Sequence, residues 1–131
     1  MAQVAKSGTP SLSSVLPSQN AQIVGLLAGV ALAVGDICYI AADGTVQLSN
    51  GTAANALAKA DGIVAQAAAI GEGVSLYRRV NFRYGAGLIP GTRLYVSATA
   101  GTLSDVATVG GTGPVGFVVD ATRIHFHGSH Y

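Results

Sequence analysis

"VGDICYIAADGTVQLS", residues 34–49, and "PGTRLYVSATAGTLSD", residues 90–105, are two versions of one pattern. Gly35 matches Gly91, Tyr39 matches Tyr95, Ile40 matches Val96 and Ala42 matches Ala98. After a one-residue insertion, Gly44-Thr45-Val46 matches Gly101-Thr102-Leu103. A further match follows in each half, Gly62-Ile63-Val64 against Gly116-Phe117-Val118. Each half therefore reads as a hairpin followed by a returning strand. Neither half is long enough to enclose a core alone. Two halves closing on one another bury both apolar faces and leave few open edges. The expected fold is all-β, a small barrel or sandwich of short strands built from two pseudo-repeated hairpin units.

The rest of the chain from residue 25 has the same texture. Gly-containing turns recur at Asn50-Gly51, Asp61-Gly62, Gly71-Glu72-Gly73, Gly85-Ala86-Gly87 and Gly110-Gly111. Gly, Asn and Asp tolerate the positive φ that tight turns need. Turn signals about ten residues apart indicate short strands. The expected strands are 37–41, 45–48, 62–67, 74–84, 93–97, 101–103, 114–120 and 122–127. The longest, 74–84, alternates: Val74, Leu76, Val80, Phe82 and Tyr84 share one face with Arg78, and Ser75, Tyr77, Arg79, Asn81 and Arg83 the other. "TAANALAKA", residues 52–60, is rich enough in alanine for one or two helical turns but lacks a broad apolar face.

The chain has 131 residues, which fits one domain. A domain of this size buries about two-thirds of its unfolded surface and needs no disulfides. The single cysteine, Cys38, lies in an apolar run without nearby basic groups and reads as a small buried hydrophobe rather than a reactive thiol. Only 10% of residues are charged and the net charge is +1. That is far below the usual quarter. So weak a field suits neither a phosphate backbone nor an anionic membrane surface. Apolar surface on such a chain is expected to be covered by oligomerisation or by docking on a larger assembly. "IVGLLAGVALAVG", residues 23–35, is too short for a transmembrane helix, which takes about 20 apolar residues. It lacks the basic lead-in of a signal peptide and reads as folded structure.

Residues 1–24 form the other part of the chain, rich in Ser, Gly, Pro, Gln and Asn and without a strand or helix period. They read as an extended N-terminal arm, flexible in the free protein and ordered on a partner, with Val15, Leu16 and Ile23 as its contacts. Residues 25–131 are the β domain with a short C-terminal tail.

No catalytic constellation is evident. Glu72 is the only glutamate and five aspartates are scattered. There is no Gly-x-Ser-x-Gly elbow and no phosphate-binding loop. His125 and His127 would share a strand face, and with His130 they have a spacing compatible with metal ligation; terminal histidines are more often surface residues. No cofactor or metal is expected. Arg78, Arg79 and Arg83 stand among Tyr77, Phe82 and Tyr84. Arginine interleaved with aromatics occurs in single-strand nucleic-acid sites, but the near-zero net charge favours a protein interface made by Tyr77, Arg78, Arg79 and Arg83.

Four stretches in order, "GLLAGVALAVGDICYIAADGTVQLS", "KADGIVAQAAAIGEGVSLYR", "AGLIPGTRLYVSATAGTLSD" and "GPVGFVVDATRIHF", resemble the head decoration (capsid cement) proteins of tailed bacteriophages. The resemblance covers roughly residues 25–126 and leaves out the arm and the histidine tail. It implies a non-enzymatic structural protein on the outer surface of the virion capsid, tying neighbouring major capsid subunits together, commonly as a homotrimer. Neither nucleic acid nor membrane is then a partner. The competing expectation is a carbohydrate-binding or adhesin-like β module, with Tyr77, Tyr84 and Arg79 as its exposed aromatic and polar groups.

Overall fold

The computed structural model describes residues 3–12 and 22–129. It is all-β. The strands are β1 (Gln3–Val4), β2 (Ser11–Leu12), β3 (Gln22–Ala28), β4 (Ile37–Ile40), β5 (Thr45–Leu48), β6 (Gly62–Val64), β7 (Gly73–Tyr77), β8 (Val80–Arg83), β9 (Arg93–Val96), β10 (Leu103–Ser104), β11 (Gly116–Val118) and β12 (Arg123–Phe126). Strands β3-β5-β4-β6-β7 close into a barrel, and β1-β10-β9-β11-β12-β8-β2 form a seven-stranded sheet. Among the described residues no helix is long and apolar enough to cross a membrane.

The repeated pattern is a repeated structure, down to the register. Tyr39 stands opposite Gln47 and Ile40 opposite Val46. Their counterparts Tyr95 and Val96 stand opposite Ser104 and Leu103. The returning strands agree too: Ile37 pairs with Ile63 and Cys38 with Gly62, as Arg93 pairs with Phe117 and Leu94 with Gly116. Backbone bonds in the opening turns match as well. The Gly35 N–H donates to Val64 O (2.7 Å) and the Gly91 N–H to Val118 O (2.9 Å). Gly35 and Gly91 hold φ of 86° and 85°, a region closed to most side chains, which is why both copies need glycine there. The repeat extends one strand beyond what the sequence shows. Ile63 and Val64 face Tyr77 and Leu76, just as Phe117 and Val118 face His125 and Ile124. The shared unit is thus a four-strand meander, β5-β4-β6-β7 and β10-β9-β11-β12.

What each half does with its open edges differs. In the first, β3 pairs parallel with β5 and antiparallel with β7, closing the ring. In the second, β1 adds to β10 while β8, followed by β2, adds to β12. The two loops that follow the hairpins meet each other, where the Gly110 N–H donates to Gly51 O (3.0 Å); within the second half, Thr108 Oγ1 donates to Val96 O of β9 (2.9 Å).

Two core clusters result. Ala28, Leu32, Cys38, Val46, Val64, Ala68, Val74 and Leu76 fill the barrel. Phe82, Tyr84, Leu94, Val96, Leu103, Val118, Ile124 and Phe126 line the sheet. Strand alternation makes the barrel wall two-sided. Cys38 and Val64 point into the barrel, while their neighbours Ile37 and Ile63 join the sheet core. The walls therefore bind both halves into one unit, at about 1.5–3 kcal/mol for each large side chain fully buried.

Three expectations are corrected. The first half does enclose a core of its own, because β3 closes its meander into a ring around Ala28, Leu32, Cys38, Val46, Val64, Ala68, Val74 and Leu76. Residues 74–84 do not make one strand. Arg79 takes φ 53°, and the chain leaves the barrel as β7 and enters the sheet as β8. The burial alternation survives the break: Val74, Leu76, Val80, Phe82 and Tyr84 are all buried. The segment 52–60, expected to make one or two helical turns, makes a single 3-10 turn, Ala56–Ala58, capped by Asn55. Finally, the arm reading fails for residues 3–12, and its end at residue 24 falls inside β3. Val4 is buried in the sheet core, and Lys6 Nζ donates to Asp36 Oδ1 at 3.0 Å. Two-residue strands have no detectable sequence period, so composition alone suggested a loose segment.

The arm also constrains the shape of the sheet. Seven flat strands would put β1 and β2 about 29 Å apart at the usual spacing. The backbone from Val4 to Ser11 spans at most about 25 Å. With β1 and β2 at opposite edges, the sheet has to curl for one short connection to reach both.

Candidate interaction surface

The carboxylates come first, because acid–base chemistry would need them. Five of the six accept backbone N–H bonds in turns or at strand ends. Asp36 takes Ala33 N (2.8 Å), Asp43 takes Thr45 N (3.0 Å) and Asp61 takes Ile40 N (2.8 Å). Glu72 takes Ala69 N (2.6 Å) and Asp120 takes Thr122 N and Arg123 N (3.0 and 2.8 Å). These groups shape the chain. The Thr45 hydroxyl and N–H hold Asp43 below the usual carboxylate range, and the Arg123 guanidinium brings Asp120 down to about 2. Burial, reinforced by Asp36, pushes the Cys38 thiol far up, so it has no tendency to form a thiolate.

The residues expected to make an interface do not gather in one place. Val15 and Leu16 lie outside the described residues. Ile23 packs against the barrel core of its own chain. Tyr77 packs against the sheet core, half-buried. Arg79 is exposed at the kink, and Arg78 is half-buried, close beside Gly128. Arg83 is exposed farther along β8, opposite Arg123 and Ser11. Tyr84, named for the carbohydrate-binding alternative, is wholly buried. His125 and His127 do not converge on a common point. His125 Nδ1–H donates to Asn81 Oδ1 (2.8 Å) and His127 Nδ1–H to Gly128 O (2.9 Å), while His130 lies outside the described residues. Among the described residues no group of three His, Cys, Asp or Glu is placed to hold a metal.

Two surfaces emerge instead. The first is the outside of the barrel. Gly25, at φ 80°, forms a bulge in β3 between Ile23 and Leu26. Ile23 and Leu26 turn inward, leaving Val24 65% and Leu27 53% exposed. Ile70, 71% exposed, sits in the adjoining turn, where the Gly71 N–H donates to Ala28 O (2.8 Å). Residues 22–30 and 62–77 contain a single charged side chain, Glu72. Three large apolar side chains thus stand on almost uncharged ground.

The second surface is the outer face of the open sheet. Arg93, Phe117, His125 and Asn81 are register partners across β9, β11, β12 and β8. The Phe117 and His125 rings are 5.3 Å apart, tilted by 33°. Desolvation, then His127, lowers the pKa of His125. Two residues along, Arg123 is opposite Arg83, a like-charge pairing that disfavours the sheet unless offset. Asp120 offsets it on one side, accepting from Arg123 Nε at 2.7 Å. The signal for this face was present in "RLYV", "GFVV" and "RIHF". Arg93, Phe117, Arg123 and His125 alternate there with the buried Leu94, Val118, Ile124 and Phe126.

Comparison with known protein families, curated proteins and solved structures finds no match.

Proposed function

We propose that the protein is a structural component of a phage virion that binds the outside of the capsid and bridges major capsid subunits, without catalytic turnover. The observation that carries this reading is the barrel face of Val24, Leu27 and Ile70, exposed apolar side chains on almost uncharged surface. Neighbouring exposed apolar side chains of this kind mark surfaces that bind other proteins. The engagement of five carboxylates in turns supports a scaffold role over an acid–base one. The ordered sequence motifs resemble capsid cement proteins. In a homotrimer, three barrel faces would engage several capsid subunits together, and avidity would multiply a modest single contact.

The test uses heads depleted of the protein. Adding it back should raise the temperature at which the heads release DNA. The Leu27→Asp variant should stay folded and fail to restore resistance. If depleted and complete heads release DNA at the same temperature, the clamping role is wrong.

A further inference from the structure

Charge is unevenly distributed along this chain. Residues 22–77 carry Lys59 against Asp36, Asp43, Asp61 and Glu72. Residues 78–131 carry Arg78, Arg79, Arg83, Arg93 and Arg123 against only Asp105 and Asp120. The basic excess reaches the outer sheet face through Arg83 and Arg93. Lys6 and Arg123 each have a carboxylate partner; among the described residues Arg83 and Arg93 have none. Between them lie Phe117, 44% exposed, and the His125–Asn81 pair.

We propose that this face, Arg93–Phe117–His125–Asn81 with Arg83, is a docking surface for an acidic segment of another protein, one that carries an apolar side chain between two carboxylates. The pattern of the face sets the pattern of the partner. Arg93 and Asn81 are three strand spacings apart, about 14 Å. Arg83 stands on β8 two residues beyond Asn81, so the two free guanidinium groups mark the ends of the site, and a neutral aromatic centre separates them. Phe117 supplies the apolar contact, and its ring neighbour His125 is held in one orientation by Asn81. Exposed arginine beside an exposed aromatic is the pairing that concentrates binding energy at protein interfaces.

Other occupants fit less well. A small ligand needs a concave site, and three clefts found among the described residues are lined by none of these side chains. A nucleic-acid strand brings continuous negative charge, which would meet a neutral centre and the Asp120 carboxylate at one corner. This chain's own undescribed residues, 1–2, 13–21 and 130–131, include no Asp or Glu to pair with the arginines. The surface is separate from the barrel face of the capsid reading, and it stands or falls independently of that reading.

The test is an amide chemical-shift titration of the full-length chain. The probe is a short synthetic peptide, Ser-Asp-Thr-Phe-Thr-Asp-Ser, with the Asn-for-Asp peptide, an oligothymidylate and polygalacturonate run alongside. The Asp peptide should shift the amides of residues 81, 93, 117 and 125, and added salt should weaken it. Arg93→Gln and Phe117→Ser should each bind it at least about tenfold more weakly, the scale of a lost interface anchor. Arg83→Gln provides a milder variant with the same expected direction. The proposal is overturned if dissociation constants exceed about 1 mM, or if the Asn peptide binds equally. It is equally overturned if only the oligothymidylate or polygalacturonate shifts these amides, or if they shift with protein concentration alone, which would assign the face to a second copy.

Discussion

Lys6 Nζ lies 3.0 Å from the Asp36 carboxylate, joining the start of the chain to the turn that opens the first repeat. The same carboxylate accepts from the Ala33 N–H, and the Lys6 and Pro10 side chains pack over Gly35. One acidic side chain thus holds both a turn and the arm. Asp36→Ala should cost about 1–3 kcal/mol, because it strands a part-buried amide as well as a cation. Lys6→Met should cost less than about 1 kcal/mol, since its packing survives. Urea unfolding measures both; equal stability of Asp36→Ala and wild type would show that this link carries little.

Gly62 and Gly116 are repeat counterparts, and neither tolerates a side chain. A Cβ on Gly62 would lie 2.4 Å from the Leu76 Cβ, and one on Gly116 would lie 2.4 Å from His125 O. Each alanine substitution should force two strands apart and destabilise the fold by at least about 2 kcal/mol. Thermal melts of the two variants should show similar losses. A large difference would mean that the halves relax unequally.

Arg79 is the one non-glycine residue with positive φ among those described. Arg79→Gly should leave stability unchanged or raise it by about 1 kcal/mol, through relief of the left-handed conformation. Arg79→Val, β-branched, should lower it. Melting temperatures in that order support the kink as a strained link between barrel and sheet.

His125 sets a pH dependence. Burial depresses its pKa in the folded protein, so the unfolded chain binds the proton more readily. Its contribution is fully present above the ordinary histidine range, near pH 6.5. It is lost as pH falls through the lower, folded value. Stability should therefore decline on acidification below about pH 6.5, and His125→Gln should flatten that part of the curve. Denaturant midpoints between neutral and mildly acid pH provide the measurement; an unchanged slope in the variant would assign it to other groups.

The sequence made the hairpins legible because their turns need particular residues. Gly35, Gly44, Gly91 and Gly101 all have positive φ, and the strands between them alternate. It was less informative wherever tertiary pairing selects the structure. β3 lies in a nearly continuous apolar run with a bulge at Gly25, which hides a period of two. β1 and β2 are two residues each and exist only because β10 and β8 offer edges. The break at Arg79 leaves the apolar alternation in phase, so nothing in the pattern marks it. The outer sheet face was harder still. Arg93, Phe117, His125 and Asn81 come from four strands, and only the register brings them into a row.

The pairing of Gln3 with Ser104 has a consequence for how the molecule forms. During synthesis the N-terminal residues emerge first, yet the strand that receives β1 is made almost a whole chain later. The barrel, from residues 22–77, can in principle assemble from what has already emerged, whereas β1 and β2 wait for the second half. Long-range pairings of this kind close large loops and slow the final step. The beginning of the polypeptide is thus among the last parts to find its place, and until it does, the edges of β8 and β10 stay open to other chains.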